Sequence, residues 1–238
     1  MVVFKIAVFA DIHANYHALK VIVDDINDKM FDEVICLGDI LSKGPNPKEC
    51  MDLIIDSNIK MVFGNHEGKA QEIYAGIVES WEESSGNLVW CMNQLDERCR
   101  KFIMTLGYEY TFDIEGATMQ FTHYPFDHQN KKFFYHADLT KSIAEKYFRE
   151  YNYDYIFFGH HHYGRYLNLD GKKLYNLDSS GCVSDEYTFY YIVTVDNGNV
   201  KVRKKKLKYD REGFVKTMLE SSTPHKKHLC EEFFGINM

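Results

Sequence analysis

The sequence predicts a mixed α/β protein, a four-layer α/β/β/α sandwich of two mixed sheets with helices on both outer faces. Three observations carry this. Residues 2–64 alternate apolar runs with segments of helical periodicity, which implies parallel strands joined by right-handed crossovers. The second half holds strand-like runs parted by Asp170-Gly171 and Asn197-Gly198, dipeptides that turn tight hairpins. Helical segments separate and follow those strands, so both sheets have helices to cover them.

The elements follow in order. "VVFKIAVFA" reads as a strand. "ANYHALKVIVDDINDKM" reads as a helix with Ala18, Val21, Ile22 and Ile26 on one face. "FDEVICLG" is a second strand. "NPKECMDLIIDSN" is a helix started by Pro47 and closed near Asn58. "IKMVFG" is a third strand. The stretch of about 67–106, with Trp81 and Trp90, is mostly helical and forms either a cap or a helical layer on the sheet. Strands follow at "YEYTFDI", "ATMQFTH" and "YDYIFFGH", the last preceded by the helix "DLTKSIAEKYFREY". The strands "YGRYLNLD", "KKLYNLDS", "YTFYYIVTVD" and "NVKVRKKKLKY" come next, and helices near Arg211–Glu220 and Pro224–Phe234 close the chain. The run "KVRKKKLK" reads as a hairpin strand with a solvated charged face that resists edge pairing, in preference to a docking patch.

Composition bounds the rest. Residues 1–238 suit a single domain, with 45% hydrophobic and 26% charged residues. The net charge of −7 disfavours broad electrostatic attraction to nucleic acid, so no stable nucleic-acid partner is expected. The run from Val2 to Ala10 is broken by Lys5 and leads into Asp11, unlike a signal peptide or a membrane span, so no membrane partner is expected. Six scattered cysteines without a CxxC pair read as reduced thiols of a cytoplasmic protein.

The chemistry-bearing residues recur at one kind of place. "VFA" leads to Asp11 and His13, "ICLG" to Asp39, "MVFG" to Asn65 and His66, "MQFT" to His123, and "IFFG" to His160 and His162. Ligands of open α/β sheets bind beyond the carboxyl ends of strands. Strands lying side by side would therefore bring these groups to one spot. Carboxylates, an amide oxygen and several imidazoles suit manganese, iron, zinc or nickel better than calcium or magnesium. The set exceeds one tetrahedral site and is enough for two ions sharing a carboxylate. Gly38, Gly64 and Gly159 precede the ligands and permit close backbone approach.

The series Asp11-x-His13, Gly38-Asp39, Gly64-Asn65-His66-Glu67, His123 and Gly159-His160-x-His162 resembles the five-motif signature of the calcineurin-like metallophosphoesterases. "DIHANYHAL" and "GDILSKGPNP" bring it nearest the bacterial and archaeal branch that carries "DIHGN", and the likeness runs into the closing helices. The resemblance implies that Asp11, His13, Asp39 and His162 hold one divalent ion. Asp39, Asn65, His123 and His160 hold the other, with Asp39 bridging. It implies that His66 is a catalytic residue near the phosphoryl oxygens and the leaving group, and that His161 points away. The activity implied is hydrolysis of phosphomonoesters or phosphodiesters of small molecules or nucleotides by a metal-bound hydroxide. The alternative is a serine/threonine protein phosphatase or a dinucleoside polyphosphate hydrolase, whose members carry an arginine where Lys43 stands; Lys43 is accordingly a candidate substrate-binding residue. A non-catalytic scaffold on the same fold fits poorly with an intact ligand set and His66. Glu67 reads as a carboxylate orienting a histidine or as an exposed helix-start acid. The family usually has glycine where Ala14 stands, a small residue at Tyr124 and threonine at His161. Tyr124 is expected to bear on the substrate pocket. His17, His128, His136, His225 and His228 fit no motif and read as surface or packing residues.

Overall fold

The computed structural model describes residues 3–77, 86–130, 132–134 and 138–238. Val2, Trp81 and His136 lie outside the described residues, as does the part of the helical expectation over 78–85.

The first sheet has the order β12-β11-β1-β2-β3. Its centre is β1 (Phe4–Phe9), parallel to β2 (Glu33–Cys36) and antiparallel to β11 (Tyr187–Asp196). β3 (Lys60–Met61) extends the parallel set, and β12 (Asn199–Lys208) forms the opposite edge. The second sheet has the order β4-β5-β8-β10-β9. Here β5 (Ala117–Thr122), β8 (Tyr155–Phe158) and β10 (Lys172–Asn176) are parallel. β4 (Glu109–Ile114) and β9 (Arg165–Leu169) add antiparallel edges. A two-stranded ribbon, β6 (Phe126–Asp127) and β7 (Lys132–Phe133), was not legible in the sequence because each strand is only two residues long.

The layers follow from burial. Ile6 and Val8 of the first sheet's central strand, with Ala10 just beyond its end, face Met119, Phe121 and Phe157 of the second sheet, so the inner core is sheet on sheet. Ala7 and Phe9, on the alternate face, pack under α1 (Tyr16–Asn27) and α2 (Pro47–Asp56). The described helices α4 (Gly86–Gln94) and α5 (Glu97–Thr105) continue this layer through Leu88, Met92, Cys99 and Ile103, while α3 (Asn65–Tyr74) contributes Ala70. On the other outer face, α6 (Lys141–Phe148) sets Ala144 and Phe148 against Ile156 and Phe158 of β8. α7 (Arg211–Glu220) and α8 (Lys226–Phe233) close over Ala18 and the partly buried Val21 of α1. Val21 therefore packs in this separate cluster, away from the α1 stripe of Leu19, Ile22, Val23 and Ile26.

Local chemistry explains the boundaries. The Asn15 side chain caps α1 by accepting from the Ala18 N–H. Asn58, with φ of 50°, takes the left-handed turn after α2. Both residues of Asp170-Gly171 and of Asn197-Gly198 have positive φ, as a two-residue primed turn demands. The basic strand β12 is an edge strand whose Lys204 and Lys208 pair with Asp178 and Glu186 at 2.7 and 3.0 Å. Among the described residues no helix is long and apolar enough to cross a membrane.

Candidate metal centre

The strands that carry the candidate ligands do not lie side by side in one sheet. β1, β2 and β3 belong to the first sheet and β5 and β8 to the second. Their carboxyl ends meet at one edge of the sandwich, and the loops leaving them bring together Asp11, His13, Asp39, Asn65, His66, His123, His160 and His162. The groups gather in two sets. In one, His13 Nε2 lies 3.0 Å from His162 Nε2, and His162 Nε2 lies 3.8 Å from Asp11 Oδ1. In the other, Asn65 Oδ1 lies 3.1 Å from His123 Nε2 and 2.9 Å from His160 Nδ1. Asp39 Oδ2 stands between them, 3.7 Å from His13 Nε2 and 3.4 Å from His123 Nε2.

The backbone pays for this convergence with left-handed residues. Asp11, His13, Asp39, His160 and His162 all have positive φ, from 48° to 77°. Such strain in non-glycine residues clusters at functional sites because the surroundings over-determine it. The same device orients the two histidines after β8: the strand ends at Phe158, and left-handed residues at His160 and His162, in place of an extended chain, aim the two rings. His161 instead packs edge-on against Tyr124 and beside Tyr163. The Gly38–Gly64 contact is a second device. A β-carbon on Gly64 would sit 2.1 Å from Asp39 Oδ1, so only glycine lets the third loop close on the second.

The donor set fits divalent cations. His13 and His123 give their Nδ1–H groups to the Leu41 and Leu37 carbonyls, at 3.1 and 2.8 Å, which leaves each Nε2 as a lone pair aimed into the site. His123 Nε2, Asn65 Oδ1 and Asp39 Oδ2 are then acceptors facing one another, which a cation between them satisfies. Lys43 already supplies one positive charge there: its Nζ lies 2.8 Å from His13 Nε2 and 3.5 Å from His66 Nε2.

Titration tendencies agree. Burial, reinforced by Lys43, holds His13, His66 and His162 well below the usual imidazole range. Burial takes His123 down to about 3 and His160, with His123 beside it, to about 2. These rings are neutral, the form that ligates. Burial pushes Asp39 up to about 6, and burial with the Asp39 charge pushes Asp11 above the carboxylate range. Bound cations relieve that cost.

Glu67 is a helix-start acid in the first turn of α3, as one of its two readings had it, but it is not exposed. It is fully buried and accepts three backbone N–H groups: Asp39 at 2.8 Å, Leu41 at 2.9 Å and Gly64 at 2.9 Å. Burial and Asp39 push it up to about 7 against these donors. Glu67 thus ties the Asp39 loop to the Asn65 loop. In Glu67→Gln the amide –NH₂ meets an N–H and leaves a buried donor unpaired, at a cost of about 1–3 kcal/mol. Thermal unfolding should shift down by several degrees, at about 2–4 °C per kcal/mol for a chain of this size. An unchanged transition would remove Glu67 from this role.

The sequence model of the calcineurin-like phosphoesterase superfamily domain matches residues 4–198. The chain belongs to that superfamily. It is a phosphoric ester hydrolase of a metal-binding family. An uncharacterised protein of Methanocaldococcus jannaschii, MJ0912, is 28% identical over 94% of this chain and 96% of its own length. A metallophosphoesterase from Sphaerobacter thermophilus has a similar structure, with a TM-score of 0.73 and 22% identity, covering 97% of this chain and 98% of that one. The hypothetical protein PH1004 from Pyrococcus horikoshii gives a TM-score of 0.77 at 17% identity, covering 99% and 100%. At these identities the structural likeness is one of fold.

The points where this phosphoesterase departs from the family pattern now have physical readings. Ala14 has φ of 53°, a conformation that glycine adopts freely and alanine adopts under strain. Tyr124 does not line a substrate pocket. It is fully buried in the outer core, and its ring stacks on His160 with centroids 4.6 Å apart. Its hydroxyl has no hydrogen-bond partner among the described residues. Tyr124→Phe should therefore leave turnover intact and raise stability, by roughly 1 kcal/mol, because an unpaired buried hydroxyl is removed. Lost turnover with unchanged stability would return the hydroxyl to the chemistry. Two residues near the centre escaped the sequence reading. Cys182 groups with His13 and His162, and the Phe233 ring of α8 lies 4.9 Å from Lys43 Nζ. Cys182 follows a parallel strand, β10, so the strand-end rule could have found it; Phe233 carries no local signal. Among the motif-free histidines, His17 pairs with Asp210 and His128 packs on Tyr108.

Proposed function

We propose that the centre holds two divalent ions, of the manganese, iron, zinc or nickel class, and hydrolyses phosphomonoesters or phosphodiesters of small molecules or nucleotides in the cytoplasm. The observation that carries this reading is Asp39 Oδ2, poised between two sets of donors. Asp11, His13, Asp39 and His162 would hold one ion, and Asp39, Asn65, His123 and His160 the other. Such a pair supplies Lewis-acid activation of water and neutralises phosphoryl charge.

The chain's own groups do the rest. The loops leaving β1, β2, β3, β5 and β8 present these donors without needing to reorganise. His66 stands at the rim, its side chain 23% exposed and its Nε2 3.9 Å from Asp39 Oδ2. There it reaches the leaving-group side of a bound phosphoryl group, as hydrogen-bond donor when neutral, or as proton donor where the phosphoryl charge offsets burial and Lys43 and protonates the ring. Lys43 supports phosphate as a point charge. That placement is the one observation favouring the alternative, a protein phosphatase or dinucleoside polyphosphate hydrolase.

The test is chelation. Stripped protein should not hydrolyse an activated aryl phosphodiester or monoester, and manganese or a similar ion should restore turnover. Activity that survives chelation, or that no metal restores, would overturn the reading.

A further inference from the structure

We propose that Cys182 supplies a sulfur donor to the ion held by Asp11, His13, Asp39 and His162, and so biases that position toward zinc, iron(II) or cobalt(II) over manganese. This rests on the two-ion reading of the centre.

The geometry points to it in two ways. First, Cys182 Sγ and one nitrogen each of His13 and His162 all lie within 4.8 Å of one another. Bonds of about 2.3 Å to sulfur and about 2.0 Å to nitrogen put neighbouring donors roughly 3.0–3.5 Å apart around a four- or five-coordinate ion. A side-chain shift of about an ångström closes the group.

Second, the backbone carrying the thiol is fastened to the segments that carry the other donors. Ser179 N–H donates to the His162 carbonyl at 3.1 Å, and Ser179 Oγ donates to the Asp11 carbonyl at 2.7 Å and accepts from the Cys182 N–H at 2.8 Å. Gly181 N–H donates to the Asp11 carbonyl at 3.1 Å, and the Gly181 carbonyl accepts from Asn15 Nδ2 at 2.9 Å. A β-carbon on Gly181 would stand 1.8 Å from the Ile12 carbonyl oxygen, so the loop is pressed as close to the Asp11–His13 segment as a chain can come. The thiol is held beside the two imidazoles by this fastening.

The chemical consequence is selective. Thiolate is a soft donor that favours zinc, iron and cobalt, while the oxygen donors of the centre also suit manganese. On binding, the S–H bond breaks, the proton passes to solvent and the thiolate pair forms the bond to the ion. No oxidant or reductant is needed.

Cobalt(II) titration of the metal-free full chain tests this, with ligand-field and near-ultraviolet absorption read together. The parent should bind two cobalt ions and show a thiolate-to-cobalt charge-transfer band. Cys182→Ser and Cys182→Ala should still bind two ions but lack that band. Competition between zinc and manganese should show zinc affinity falling about tenfold or more in both variants, with manganese affinity unchanged. Two bound cobalt ions without the band in the parent would overturn the sulfur donor while leaving the two-ion reading intact. Failure to bind two ions would overturn that reading, and this one with it.

Discussion

Asp39→Asn should lower turnover more than any other single change at the centre. Asp39 Oδ2 is within 4 Å of His13, His66 and His123, so one side chain spans both sets of donors. Removing its charge weakens both positions at once. Changes outside the ligand shell typically cost about 10–100-fold, so loss of a bridging charge should exceed roughly a hundredfold. Asparagine is a fair probe because it preserves the rest. It tolerates the left-handed φ of 54°, and its Oδ1 can keep accepting the His66 N–H, 3.1 Å from Asp39 Oδ1 in the parent. The metal-free variant should be at least as stable as the metal-free parent, because Asp11 and Glu67 lose a neighbouring buried charge that pushes both of them up. Metal content, turnover and thermal unfolding measured together decide the matter. A variant that retains two ions and near-normal turnover would take Asp39 off the bridge.

His66→Ala should come next, with both ions retained. His66 reaches the centre from the first turn of α3, and its ring lies edge-on to His13 at 5.3 Å. It is half-buried, unlike His13 and His123, and so part of its ring is open to solvent. A positioned proton donor contributes about 10²–10⁴-fold, so turnover should fall by about a hundredfold or more. The deficit should shrink for aryl esters, whose leaving groups depart without a proton. An equal deficit across leaving groups would assign His66 to the phosphoryl oxygens, and loss of an ion would make it a ligand.

Periodic and local features are legible in the amino-acid order alone. Apolar periods located the long strands and α1 and α2, Asp-Gly and Asn-Gly placed two hairpins, and the strand-end rule picked out eight polar residues of the centre. These features depend on interactions within a few residues, so they are legible in one dimension. The remainder comes from packing between segments distant along the chain. That β1, β2 and β3 on one side and β5 and β8 on the other belong to facing sheets whose carboxyl ends share an edge is a matter of packing between Val8 and Phe157 layers, far apart along the chain. That Glu67 is a backbone clasp depends on N–H groups 26 and 28 residues earlier as well as on Gly64. That Tyr124 braces His160, and that Cys182 stands beside His13, follows from loops pressed together at one edge. Burial turned an acid, an aromatic ring and a thiol into parts of one centre, and burial is a property of the whole packed chain.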